Sequence, residues 1–119
     1  MILQRILEAL LDRSPAFRAA VLLDYEGETV VAAARAGNDH DYRVLGAYQG
    51  IFLRDLLRAF ARCDLGAVHS FWMEQGGMRV LTETLSDGYY VVLAVDDSVP
   101  LGLAAFRVGN AAEELRALL

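Results

Sequence analysis

The stretch from Tyr42 to Arg62, YRVLGAYQGIFLRDLLRAFAR, contains neither proline nor a turn cluster, and it constrains the rest of the chain. At about 100° per residue, Leu45, Tyr48, Phe52, Leu56 and Ala59 form one apolar stripe. Leu53 and Phe60 widen it on one side, and Val44 and Ile51 lie on the other. Only a narrow strip carrying Arg43, Arg54 and Arg58 is clearly polar. A surface helix needs one apolar face, so a helix that is apolar around most of its circumference is expected to touch two surfaces. One is its own sheet and the other a partner chain; the alternative is a fully buried core helix in a monomer. Gly46 and Gly50 each weaken an isolated helix by roughly 1 kcal/mol relative to Ala. Their spacing, with Ala47 beside them, suggests the close approach of another backbone.

Before this helix, Ile2, Leu3, Ile6, Leu7, Leu10 and Leu11 repeat at helical spacing, with Gln4, Arg5, Glu8 and Asp12 opposite. This is a one-faced helix ending near Ser14-Pro15, where proline disfavours the helical conformation of its predecessor. Ala19–Tyr25 and Thr29–Ala34 then flank Glu26-Gly27-Glu28 as a hairpin. Arg35 to Asp41 reads as a polar loop, with Asp41 placed to cap the central helix.

Beyond Arg62, three strands are expected at Ala67–Glu74, Met78–Leu85 and Tyr89–Val95. Their separators, Gln75-Gly76-Gly77 and Ser86-Asp87-Gly88, are tight-turn sequences, so the strands form an antiparallel meander. The first and last strands are apolar without alternation, which marks strands covered on both faces. They therefore sit side by side in mid-sheet, giving the order 2-1-5-4-3 with the third strand at an edge. That edge carries Phe71, Trp72 and Met73, and a bare hydrophobic edge invites pairing with another chain. Asp96-Asp97-Ser98-Val99-Pro100 reads as a helix entry with Asp97 or Ser98 as cap and proline in the first turn. The helix beyond it has Leu101, Ala104, Ala105, Val108, Ala111, Ala112, Leu115 and Leu118 at helical spacing. The expected fold is an α+β sandwich forming one domain over residues 1–119, with topology α-β-β-α-β-β-β-α. The central helix lies on one face of the sheet and the two terminal helices on the other.

Composition narrows the functional classes. The chain has 119 residues and 55% hydrophobic content, high for its size, which again points to surface kept for a partner. No apolar run approaches the ~20 residues of a membrane span, and the acidic, amphipathic start reads as neither signal nor transit peptide. A single cysteine excludes an intramolecular disulfide framework and fits a reducing cytoplasm. All eleven basic residues are arginine, which reflects a GC-rich genome more than any local chemistry. The net charge of −5 argues against general nucleic-acid binding, yet Tyr42–Arg62 holds four Arg against one Asp. A basic strip on an acidic chain suits an acidic partner, or is simply a solvated face.

No residue set has the spacing of an active site. The chain has no lysine for a nucleotide-binding P-loop. His40, His69 and Cys63 lack zinc-site spacing, so no metal and no cofactor are expected. His69 and Ser70 are strand neighbours that face opposite sides and cannot form a nucleophile–base pair. Cys63, near a helix end, reads as a small buried hydrophobe.

The whole arrangement resembles the roadblock/dynein light chain family. Its most specific pieces are the first hairpin, AAVLLDYEGETVVAAA, and the closing YYVVLAVDDSVPLGLAAFRV. In the latter a hydrophobic strand, an acidic turn and a Leu-Gly-Leu helix start follow in order. Within the family the chain is most similar to stand-alone prokaryotic regulators of Ras-like GTPases of the polarity and gliding-motility type. The resemblance implies a homodimer, or a heterodimer with a paralogue, in which central helices lie side by side and third strands pair into one ten-stranded sheet. It also implies a non-enzymatic regulator or scaffold whose central helix contacts the GTPase, remodelling its switch regions without inserting a catalytic arginine. Carried onto this chain, the GTPase contact falls on Tyr42, Arg43, Arg54, Arg58 and Arg62. The dimer interface falls on Gly46, Gly50, Leu53, Leu56, Leu57, Phe60, Phe71, Trp72 and Met73. The short charged tails of some relatives do not occur in the sequence, so tail-mediated regulation is not expected. Two other readings compete: a PAS-type small-molecule sensor, which needs a cavity of roughly 300 Å³ or more, and a structural dimerisation adaptor with no GTPase partner.

Overall fold

The computed structural model describes residues 1–35 and 39–119. Three long helices and five strands follow in the order α1 (Ile2–Leu11), β1 (Phe17–Leu23), β2 (Thr29–Ala34), α2 (Asp39–Arg62), β3 (Ser70–Gln75), β4 (Met78–Thr84), β5 (Tyr90–Asp96) and α3 (Leu101–Leu118). All strand pairs are antiparallel, in the expected order β2-β1-β5-β4-β3. β1 and β5, apolar over Ala19–Leu23 and Tyr90–Val95, pair in mid-sheet from Phe17↔Val95 to Leu23↔Tyr90.

Alternation along these strands divides the core in two, because successive side chains point to opposite faces. Leu22, Val91, Leu93 and Val95 face α1 and α3, meeting Leu7, Leu10, Val108 and Leu115. Val21, Leu23, Tyr90 and Val92 face α2, meeting Leu53. α1 ends where the sequence leads to Pro15, and Arg35 secures that end. Its guanidinium donates to the carbonyls of Leu11, Ser14 and Phe17, tying the helix terminus to the neighbouring strands.

Element boundaries depart from expectation at several places. β1 begins two residues earlier, and β3 begins only at Ser70. α2 begins at Asp39, so Asp41 lies in its first turn and complements the helix dipole there. Residues 36–38 of the expected loop lie outside the described residues. The cap expected of Asp97 or Ser98 on α3 does not form. Pro100 itself occupies the cap position with extended ψ, and no side chain caps the helix. The backbone of Asp97 instead donates to Gly77 in the β3–β4 turn at 3.1 Å, while Val99 turns back onto Asp96 and is buried.

Candidate functional site

α2 lies on the sheet through its small side. Gly46, Gln49, Gly50 and Leu53 are its buried residues. A Cβ at Gly50 would stand 2.2 Å from the Tyr90 hydroxyl oxygen, and one at Gly46 would meet the Leu23 methyls at 3.0 and 3.1 Å. Tyr90, buried on β5, reaches up and donates to the Gly46 carbonyl at 3.0 Å. Burial pushes its phenol up to about 12, with the Arg54 charge opposing that shift. Beside it, Gln49 Nε2 donates to Thr82 Oγ1 at 3.1 Å, both residues being fully enclosed. Gln49 Oε1 has no partner among the described residues.

This geometry corrects part of the expected interface. The close approach at Gly46 and Gly50 is made by the chain's own sheet and not by a second backbone. Leu53 is likewise internal, at 5% exposure. Leu56 and Phe60 are half-buried at the margin of the same core, as are Tyr42 and Phe71. Of the other residues assigned to the interface, Leu57 and Trp72 are exposed and Met73 is half-buried.

Because the glycine-bearing side faces inward, several large apolar side chains of α2 are left outside. Val44, Tyr48, Ile51 and Phe52 are between 37% and 56% exposed, a contiguous patch on consecutive turns. Surface area of this kind on one helix face marks an interaction site more often than scattered single residues do. The sequence reading placed these residues on the apolar circumference but did not assign them to the interface. The signal was available: a glycine-lined face can sit close to a sheet, so the bulky stripe beside it need not.

The arginines do not form one strip. Arg43 and Arg62 are exposed. Arg58 is exposed and pairs with Asp55 one turn back at 3.1 Å. Arg54 is half-buried on the flank of the helix, where its Nη1 donates to the Tyr25 carbonyl at 3.0 Å. Next to it, an open cavity of about 450 Å³ lies between the second half of α2 and the β4–β5 loop. Cys63 is exposed, contrary to the expectation of burial, because α2 runs past the sheet and residues 61–67 are all exposed.

The edge strand completes the surface. Thr84 donates to the His69 carbonyl at 2.9 Å, and the β3–β4 register runs from Ser70↔Glu83 to Gln75↔Met78. Antiparallel pairing alternates bonded and non-bonded residues, so Ser70, Trp72 and Glu74 turn their backbone groups outward. Among the described residues, no group of three His, Cys, Asp or Glu side chains is arranged to hold a metal ion, and no helix is long and apolar enough to cross a membrane.

No protein-family model and no curated protein sequence matches the chain. Solved structures do. Myxococcus xanthus MglB superposes with a TM-score of 0.87 at 16% identity, covering 99% of this chain and 94% of that one. The Roadblock/LC7 domain from Streptomyces avermitilis gives 0.86 at 16%, covering 97% and 95%. An MglB with tetrameric arrangement gives 0.85 at 19%, covering 98% and 86%. At these identities the likeness establishes architecture. The chain has the fold of MglB and the Roadblock/LC7 domains.

Proposed function

We propose that this chain is a dimeric, non-enzymatic regulator or scaffold that binds a small Ras-like GTPase through the outer face of α2. The observation that carries the reading is the uncovered apolar patch Val44–Tyr48–Ile51–Phe52, with exposed Arg43, Arg58 and Arg62 on the same helix. A desolvated apolar centre with cationic residues near it is the usual anatomy of a protein-binding surface. The arginines add forked hydrogen bonds to carboxylates and speed the encounter with an acidic partner.

Self-association uses the second open feature. Trp72 is 48% exposed on an edge strand whose backbone groups at Ser70, Trp72 and Glu74 face outward. Pairing with the same strand of a second copy would join two five-stranded sheets into one of ten. The tetrameric arrangement named for a similar MglB supports a surface suited to self-assembly. An interface of about 1,600 Å² in total would suffice for a stable dimer.

The reading is tested by capture from the native cell, with the chain immobilised and the lysate supplemented with a non-hydrolysable GTP analogue. Retention of a Ras-like GTPase by the wild type, and its loss with Tyr48→Asp combined with Ile51→Asp, is the expected result. Nucleotide hydrolysis by the purified chain alone would contradict the non-enzymatic part.

A further inference from the structure

We propose that the cavity flanking the second half of α2 is a binding site for an amphipathic carboxylate, an aryl acid whose carboxylate pairs with Arg54 and whose ring lies among the apolar walls. This rests on geometry within one chain and is independent of the GTPase reading.

Arg54 differs from the other arginines of α2. Arg43 and Arg62 stand in solvent, and exposed Arg58 pairs with Asp55. Arg54 is half-buried, and none of the ion pairs among the described residues includes it. A guanidinium has five N–H donors, and among the described residues the one bond Arg54 donates goes to the Tyr25 carbonyl. That bond fixes the group at the cavity wall. Engaged in no ion pair among the described residues, the guanidinium keeps its charge and further donors for a carboxylate in the cavity, which it would hold through a forked pair.

The remaining walls select what the carboxylate is attached to. Leu57 and Leu85 line the cavity together with Tyr25 and Tyr89. The floor is closed by Tyr90, whose hydroxyl is already committed to Gly46. Aromatic walls favour offset or edge-on contact with a flat ring. A volume of about 450 Å³ falls in the range of small-ligand sites, which combine apolar lining with a few polar groups. Tyr25 is exposed, so the cavity opens to solvent and a ligand can enter without unfolding.

The test is a titration of the 15N-labelled chain with 2-naphthoate, followed by amide shifts at His69, Gly88 and Tyr89, with neutral 2-naphthamide as the control. The expected result is a naphthoate Kd below about 1 mM and at least about tenfold weaker naphthamide binding. Arg54→Gln keeps a donor for Tyr25 and should bring naphthoate down to the naphthamide level. Ala67→Trp, a change at an exposed lining residue, should fill the mouth and abolish both. Equal binding of acid and amide by the wild type overturns the proposal, whatever the variants do. So does the absence of naphthoate shifts at these amides up to about 5 mM, or undiminished naphthoate binding by folded Arg54→Gln.

Discussion

Tyr90 on β5 donates its hydroxyl hydrogen to the backbone carbonyl of Gly46 on α2 at 3.0 Å, through a gap that exists because Gly50 lacks a side chain. This contact decides which side of the helix meets the sheet. With Tyr90 and Leu23 projecting upward, the face that lies against them must carry glycine at positions 46 and 50. Val44, Tyr48, Ile51 and Phe52 are thereby turned outward.

Gly50→Ala should therefore destabilise the chain in spite of alanine's better helix propensity. The new Cβ would lie 2.2 Å from the Tyr90 hydroxyl oxygen, so helix or tyrosine must move. Overpacking of this kind costs about 3 kcal/mol, against a propensity gain of about 1 kcal/mol. Gly109→Ala on α3 is the contrasting case, since its Cβ meets only Glu83 Oε1 at 3.9 Å. Denaturant titration should show a loss of about 2 kcal/mol for the first and a gain of up to about 1 kcal/mol for the second.

The buried phenol makes stability fall at high pH. A free tyrosine titrates at 10.0, whereas burial holds Tyr90 protonated up to about 12. The stabilisation is fully present below pH 10 and is lost as pH rises through 12, since the unfolded chain releases its proton first. Tyr90→Phe should be less stable near neutrality, by about 1 kcal/mol for the lost hydrogen bond. Its stability should decline less between pH 10 and 12, which thermal melts across that range will measure.

Gln49 and Thr82 form a buried polar pair with one acceptor left over. Thr82→Val alone strips Gln49 of its partner and should cost about 1 to 3 kcal/mol. Gln49→Leu combined with Thr82→Val removes both polar groups and should be close to neutral or stabilising. Additive losses in the double-mutant cycle would show that the pair is not coupled.

Trp72 offers the cleaner test of the edge strand, because it is more exposed than Phe71 and less engaged with the core. Sedimentation at micromolar concentration should give a dimer for the wild type and a monomer for Trp72→Lys, with little change in melting temperature. A wild-type monomer would remove the basis for strand pairing.

The strands were legible because alternation and turn residues are local signals. Unbroken apolarity in AAVLL and YYVVLAV placed β1 and β5 together in mid-sheet, and the two hairpins then ordered the rest. The orientation of α2 was not legible in the same way. Hydrophobic periodicity weighs large side chains, whereas the face that meets the sheet is Gly46, Gln49, Gly50 and Leu53. What selects that face is Tyr90, far away in sequence, and no local pattern encodes it. The setting of Arg54 was not legible for a related reason: it depends on the Tyr25 carbonyl, a contact between elements. The start of α3 shows the converse error, in which Ser98 and Asp97 have the right chemistry for a cap but the chain turns at Val99 first.

The most direct test of the account is calorimetric titration of a GTP-loaded Ras-like GTPase from the same cell into the wild-type chain and into Arg43→Glu combined with Arg58→Glu. Both arginines are exposed and Arg58 loses only a solvent-exposed pair, so each swap should change folding by no more than about 0.5 kcal/mol. The account predicts binding by the wild type that weakens with added salt, and at least about tenfold weaker binding by the folded double variant. No binding by the wild type, or undiminished binding by the variant at low salt, would contradict it.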